Sequence, residues 1–248
     1  MRINYDSVAA TYDSQPYRVR TPDDNLAALR RVRRSEPLRA LDLGCGTGNQ
    51  LIANQRLRVP QIGVDASFGM LTVARHKAPT LPWVQATGHQ LPFPKQSFDY
   101  ISSQFMFHHV THKADLLLEV ARVTRDYGWF VYHNVAPEEI PDWIYYHYFP
   151  ELIARDQHDF WPIHRILDAL HQLHFRAEAK YDHQYRQQDL AEFASQLARR
   201  DINSHIAALT DAQYQAGLAR LHADLAAGIT HRTHHICLVT IRAQHRRW

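Results

Sequence analysis

Cysteine is nearly absent from this chain: Cys45 and Cys237 are the two in 248 residues. That excludes a disulfide framework and fits a reducing compartment. No run of about 18 apolar residues occurs, and the opening Met1-Arg-Ile-Asn-Tyr-Asp6 lacks the apolar core of a signal peptide. The expectation is a soluble, cytoplasmic protein with no membrane insertion. Charge of one sign is also lacking, since 28 Lys and Arg stand against 25 Asp and Glu for a net +3. With a pI near 8.9 this gives a mild preference for anions but no nucleic-acid footprint. No repeat, low-complexity stretch or linker divides the chain, so residues 1–248 read as one domain.

Arg39-Ala-Leu-Asp-Leu-Gly-Cys-Gly-Thr-Gly-Asn49 reads as a buried strand that breaks into a nucleotide-binding turn. Gly44, Gly46 and Gly48 remove side chains where the backbone bends and approaches a ligand, and a helix can start after Gly48. Gln61-Ile-Gly-Val-Asp65 follows as a second strand ending in a carboxylate, about 20 residues beyond the first glycine, where such folds hold a ribose. The spacing is Gly-x-Gly-x-Gly, so the third glycine comes one residue too early for the pyrophosphate fingerprint of dinucleotide-binding folds.

In chain order, Tyr5, Val8, Ala9 and Tyr12 recur at helical spacing over residues 4–13, where the tyrosines either lie over a cofactor or pack the helix down. Pro22 is expected to open a helix with Leu26, Leu29 and Val32 inward and Arg30, Arg31, Arg33 and Arg34 mostly on a solvated face. Strands are expected at 38–43, 61–65, 82–86, 100–103 and 129–133. Helices between them should cover 48–54, Ser67–Lys77 with Ser67 as cap, and 113–125 with Ala114, Leu117, Leu118 and Ala121 on one face. This alternation argues for a doubly wound parallel sheet. Helical insertions are expected at about 137–160 and 185–230, around a strand near 175–183. Thr210 and Gln213 form a capping box, Gly228 a stop, and residues 235–242 a last strand.

The run Ala40-Leu-Asp-Leu-Gly-Cys-Gly-Thr-Gly48, with Val64-Asp65, Leu91-Pro-Phe-Pro-Lys-Gln-Ser-Phe-Asp99 and Phe107-His-His-Val110, resembles class I S-adenosylmethionine-dependent methyltransferases of the small-molecule, UbiE-like type. The resemblance covers about residues 1–135. It implies a Rossmann-like, mostly parallel seven-stranded sheet with the last strand antiparallel, and S-adenosylmethionine as cofactor with S-adenosylhomocysteine as product. It further implies that Asp42, Gly44 and Gly46 line the methionine moiety and that Asp65 accepts from both ribose hydroxyls. Ala66 and Met70 would line the adenine, Ser103 and Gln104 would approach the amino-acid end, and Tyr12 would lie over the cofactor. Thr87 stands where the family usually has an aspartate, so at this point its hydroxyl and the Gly88 amide replace a carboxylate.

Methyl transfer to a neutral acceptor also needs a proton removed, and histidine suits that task near neutral pH. His109, or else His108, follows the fourth strand on the ligand side of the sheet, unless the pair only packs and solvates. Trp143 and Tyr146, in an aromatic stretch of the first insertion, either cap an apolar acceptor pocket or pack the insertion down. His231-Arg-Thr-His-His-Ile-Cys237 has ligand-type residues, but on a strand they alternate between faces, and no metal site is expected. The partner is thus a small organic molecule accepting at oxygen, carbon or nitrogen, and the chain a monomer or homodimer. A non-catalytic cofactor-binding protein of the same fold and an RNA methyltransferase are the alternatives.

Overall fold

The computed structural model describes residues 4–14, 18–33, 37–198, 200 and 204–246. Leu41 and Leu43 give β1 (Ala40–Leu43) its apolar core, and all four of its residues are buried. Hydrophobic burial of this kind stabilises by about 2 kcal/mol per leucine. β1 pairs in parallel with β2 (Gln61–Asp65) on one side and β4 (Phe98–Gln104) on the other, so that Asp42 lies level with Gly63 and Ser102. β3 (Trp83–Gln85) continues one side, while β5 (Thr124–Val135), β7 (His231–His245) and β6 (Phe175–Asp189) continue the other. The sheet order is β3-β2-β1-β4-β5-β7-β6, six parallel strands and one antiparallel. The winding reverses between β1 and β4, which is where open sheets of this type take their ligands.

α1 (Tyr5–Val8) and a 3-10 turn over Ala9–Ser14 precede α2 (Asp24–Val32). α3 (Asn49–Asn54), α4 (Phe68–Lys77) and α5 (Lys113–Val123) connect the strands. Asp23 caps α2 by accepting from the Asn25 and Leu26 amides, and it also accepts from the buried Tyr100 hydroxyl at 2.5 Å, which ties the helix to β4. One core cluster joins Leu26, Leu38, Ala40, Val59, Tyr100 and Val131; a second joins Cys45, Leu51, Leu71, Ala74, Ala78 and Trp83. Both cysteines are buried free thiols, and burial pushes each above its ordinary value, which leaves them inert.

Several local expectations need correction. The second helix starts at Asp24 behind its cap Asp23, not at Pro22, and Val32, the last residue of the helix, is 83% exposed and not inward. Arg34 of the basic run lies outside the described residues. α5 turns only part of the expected face inward: Leu117 and Ala121 are buried as expected, together with Leu116 and Val120, whereas Ala114 and Leu118 are exposed. The helix expected over 4–13 tightens into 3-10 geometry after Val8. The second insertion begins later than 185, because β6 runs to Asp189 before α9 (Leu190–Leu197).

The chain clusters into two compact units. The first gathers Tyr5–Asn134, Ile163–Lys180 and β7 from Val239 onward, including α8 (Ile163–Gln172). The second gathers Val135–Pro162 and Tyr181–Leu238, with α6 (Ile144–Tyr148), α7 (Glu151–Asp159), α9, α10 (Ser204–Ala207) and α11 (Asp211–Ala226). The Thr210–Gln213 capping box opens α11 as expected, and Gly228 follows its end at φ +82°. Within this unit the Phe149 ring packs onto Gly217, where a methyl group would come within 2.0 Å of it. Tyr148 donates to Asp224 at 2.9 Å beside Arg232 at 2.6 Å. Among the described residues no helix is long and apolar enough to cross a membrane.

Candidate active site

β1 delivers its last polar residue, Asp42, into the sheet: the carboxylate is buried and accepts from the Ser102 hydroxyl at 3.0 Å. Burial is the main reason its pKa is pushed up to about 7, with Asp23 and Asp65 adding to the rise and Ser102 and Arg20 opposing it. The chain then turns. The Gly44 and Cys45 amides both donate to the Val64 carbonyl, at 2.8 and 2.9 Å, which draws the turn against the end of β2. Gly44 has φ +77° and presses so closely on Met106 that a side chain would meet it at 2.3 Å. Gly46 also has positive φ, +52°, but a methyl group there would face open space.

Asp65, at the end of β2, accepts from the Gly46 amide at 2.8 Å and the Ser67 amide at 2.9 Å. Burial raises its pKa, while the amide bonds from Ser67, Gly46 and Ala66 hold the rise in check. A carboxylate has about four lone-pair directions, so these amide donors leave acceptor capacity for a further hydroxyl. At the end of β4, the Ser103 hydroxyl is buried with no hydrogen-bond partner among the described residues, and Gln104 donates to Gln50 at 3.2 Å. Gln50 in turn donates to the Thr21 carbonyl and Asn54, each at 3.0 Å.

The amino-terminal segment is fastened beside this edge by carboxylates. Asp6 accepts from the Ser67 hydroxyl at 2.6 Å and the Gly69 amide at 2.7 Å, while Asp13 accepts from Thr47, Asn49 and Lys77. These bonds set the Tyr5 hydroxyl 2.6 Å from His109 Nε2. The His108 ring lies 3.9 Å from that of His109, and Asn134 Nδ2 is 3.1 Å from His108 Nδ1. The half-buried Tyr12 ring stacks under the Arg18 guanidinium at 3.4 Å and meets Tyr5 edge-on at 6.2 Å.

The structure therefore brings Asp42, Gly44, Gly46, Asp65, Ser103 and Gln104 to one edge of the sheet, and Tyr12, His108 and His109 to the elements attached to it. Met70 is buried in α4, its amide capped by Ser67, and Ala66 is exposed just before that helix. Thr87 is exposed in the loop after β3, and Gly88 lies so close to Leu116 that a methyl group would sit 2.7 Å from it. Trp143 and Tyr146 belong to the second unit. There Tyr146 donates to Asp156 at 2.7 Å, and its ring meets that of Trp143 edge-on at 5.4 Å.

Four further polar groups around the site were not anticipated as such. Ser102 orients Asp42; the half-buried Arg20 is electrostatically coupled to it; Asn134 orients His108; Tyr5 is paired with His109. The alternation of β4 could have placed Ser102 beside Asp42. Nothing in the spacing connects Tyr5 to a residue 104 positions away.

The donor set suits S-adenosylmethionine. An open approach at Gly46, remaining acceptor capacity on Asp65, a buried Ser103 hydroxyl unpartnered among the described residues and a buried carboxylate at Asp42 match a ligand with hydroxyls, an amino-acid end and positive charge.

A family model described as a methyltransferase domain matches residues 41–132. The uncharacterized methyltransferase YcgJ of Bacillus subtilis is 36% identical over 107 residues, 41% of this chain and 42% of that one. The demethylmenaquinone methyltransferase of Geobacillus kaustophilus is 31% identical over 131 residues, 49% and 56% of the two chains. The chain thus spans about half the length of the curated relatives it matches. Among solved structures, the Haemonchus contortus phosphoethanolamine N-methyltransferase 2 in complex with S-adenosyl-L-methionine superposes with a TM-score of 0.62 at 18% identity, covering 98% of this chain and 57% of that one. The glycine turn, the carboxylate that ends β2 and the sheet order agree with these matches, and residues 41–132 are similar to a methyltransferase domain.

Proposed function

We propose that this protein transfers a methyl group from S-adenosylmethionine to a small organic molecule, with His109 accepting the proton that the acceptor gives up. The observation that carries the reading is the pairing of the ribose-type carboxylate Asp65, bonded to the Gly46 amide, with an imidazole and a phenol 2.6 Å apart in the same unit. When bound, the cofactor supplies an electrophilic methyl carbon on a positive sulfur. The protein's own part is alignment, exclusion of water and handling of a proton. Asp65 holds the ribose, Ala66 and Met70 flank the adenine with Thr87 and Gly88, and Tyr12 covers the cofactor. Gly44 and Gly46 admit the methionine end. Ser103, Gln104 and Arg20 hold its amino and carboxylate groups, and Asp42 favours its cationic side. Tyr5 fixes the orientation of His109, and His108 is held off by Asn134. Trp143 and Tyr146 are proposed to serve the acceptor side. The same unit holds no thiol that could act as nucleophile, since Cys45 is buried against Trp83.

The test is incubation of the protein with methyl-labelled S-adenosylmethionine and a fractionated small-molecule extract. Label should move into a low-molecular-weight organic fraction. Tight cofactor binding with no label transferred to any fraction would favour a non-catalytic protein, and transfer into RNA alone would favour the nucleic-acid alternative.

Asp42 also sets a pH dependence. Its folded pKa, raised from 3.8 to about 7, means that the free protein holds a proton there below neutrality. The stability this group contributes is therefore present below its unfolded value and is lost as pH rises through about 7. A cationic ligand prefers the carboxylate, so binding releases the proton. Affinity for S-adenosylmethionine should then fall as pH drops below 7, by up to about tenfold per unit. Calorimetry across pH checks this; Asp42→Asn should flatten the profile, and an equally steep profile in that variant would remove Asp42 as the cause.

A further inference from the structure

β6 is the last strand of the sheet, so among the described residues one of its edges has no strand beside it. Fifteen residues with an unpaired backbone row are a ready template for another strand. The phase of that row follows from its pairing with β7. The Arg246 amide donates to the His174 carbonyl, and the Leu190 amide to the Thr230 carbonyl, each at 2.9 Å. Even-numbered residues of β6 therefore turn their amides and carbonyls toward β7, and Ala177, Ala179 and Tyr181 turn theirs outward. The side-chain neighbours keep the same register without a bulge: Phe175 meets His245, Glu178 meets Arg242, and Tyr185 stacks on His235. At the outer edge the Ala177 carbonyl is 3.4 Å from Nε2 of the exposed His171, the one contact there given among the described residues.

The even-numbered side chains share one face and alternate in sign: Arg176, Glu178, Lys180 and Asp182, all exposed. We infer that β6 pairs antiparallel with β6 of a second copy of this chain about a twofold axis at Ala179. In that register Glu178 of each copy faces Lys180 of the other, and Arg176 faces Asp182, so each of these four charges meets its opposite. Because the odd residues carry the outward hydrogen bonds, these charged pairs fall at the non-hydrogen-bonded positions, where facing side chains come closest. Ala179 faces its own copy and Ala177 faces Tyr181, so small side chains meet on the other face. Moving the axis one residue either way sets Glu178 on itself with Arg176 on Lys180, or Lys180 on itself with Glu178 on Asp182. Moving it by two, to Ala177 or Tyr181, keeps one kind of opposite pair, Arg176 with Glu178 or Lys180 with Asp182, so the axis at Ala179 makes the most such pairs. The His171 ring swings off the edge as the strands join.

Sedimentation velocity over a concentration series tests this. The intact protein should dimerise, more weakly as salt is raised. Lys180→Glu or Glu178→Lys alone sets like charges opposite each other twice and should raise the dimer dissociation constant by about tenfold or more. The double exchange Glu178→Lys with Lys180→Glu restores opposite pairs and should restore the dimer. Because Glu178 also meets Arg242, Arg176→Asp with Asp182→Arg gives an independent exchange that should behave alike. A protein monomeric throughout, a dimer indifferent to the single changes, or a double exchange as weak as the singles would overturn the pairing. Far-ultraviolet circular dichroism of each variant confirms that the chain is folded.

Discussion

Asp65→Ala should raise the dissociation constant for S-adenosylmethionine by a hundredfold or more. On the proposed reading the carboxylate accepts the ribose hydroxyls while it already accepts from the Gly46 and Ser67 amides. Hydrogen bonds to a charged acceptor contribute about 1.5–3 kcal/mol each, so losing two costs about 3–6 kcal/mol, and the freed Gly46 amide relaxes the turn as well. Asp65→Asn keeps one acceptor oxygen but brings a donor toward the amides, and should fall between the two. Calorimetry measures all three proteins. A thermal unfolding curve close to that of the intact protein shows that the loss is local, because the core clusters do not include Asp65. An unchanged dissociation constant in the alanine variant would end the assignment of this edge to the cofactor.

The second large effect concerns turnover. With the acceptor identified by label transfer, His109→Gln should lower kcat by about 10²–10⁴-fold while leaving the cofactor dissociation constant close to that of the intact protein. The side chain pairs with the Tyr5 hydroxyl at 2.6 Å. Tyr5→Phe removes only the hydroxyl that orients the ring. It should lower kcat by a smaller factor and shift the acidic limb of the rate profile, whereas the limb should vanish in His109→Gln. If His109→Gln instead weakens the cofactor and leaves kcat intact, the imidazole is a wall of the binding site and not its base.

Most of the first unit was legible because its signals are local. Three glycines alternating after a four-residue apolar strand leave little choice of backbone, and Asp65 ends the next strand with no intervening ambiguity. Ser67 was recognisable as a cap because its hydroxyl needs only the Met70 amide, three residues on. The face of α5 was partly misjudged for a different reason. Leu116, Leu117 and Leu118 are consecutive, so apolarity alone does not set the phase; the packing of Leu116 onto Gly88 does. The length of β6 was underestimated since its charged residues alternate with Tyr181, His183 and Tyr185, a pattern suited to a half-exposed edge and not to a buried strand. Tyr5 with His109, and Arg20 with Asp42, are pairs of residues remote in sequence, and no periodicity reports such a meeting. The aromatic stretch after Pro137 showed that something apolar would form there. It did not show that Tyr146 would donate to Asp156 and Tyr148 to Asp224, because partner choice among polar groups depends on the tertiary arrangement.

The fastening of the amino-terminal segment has a consequence for the order of events in folding. Its bonds run from Asp6 to Ser67, from Asp13 to Lys77 and from Tyr5 to His109, spanning 61, 64 and 104 residues. None can close until β1, β2, α4 and β4 have assembled, since each partner is held by those elements and closing such long loops is slow without them. These residues precede in the chain the elements that hold them, yet they are among the last to be placed. A chain can complete its central sheet and still lack the imidazole–phenol pair until that final docking step.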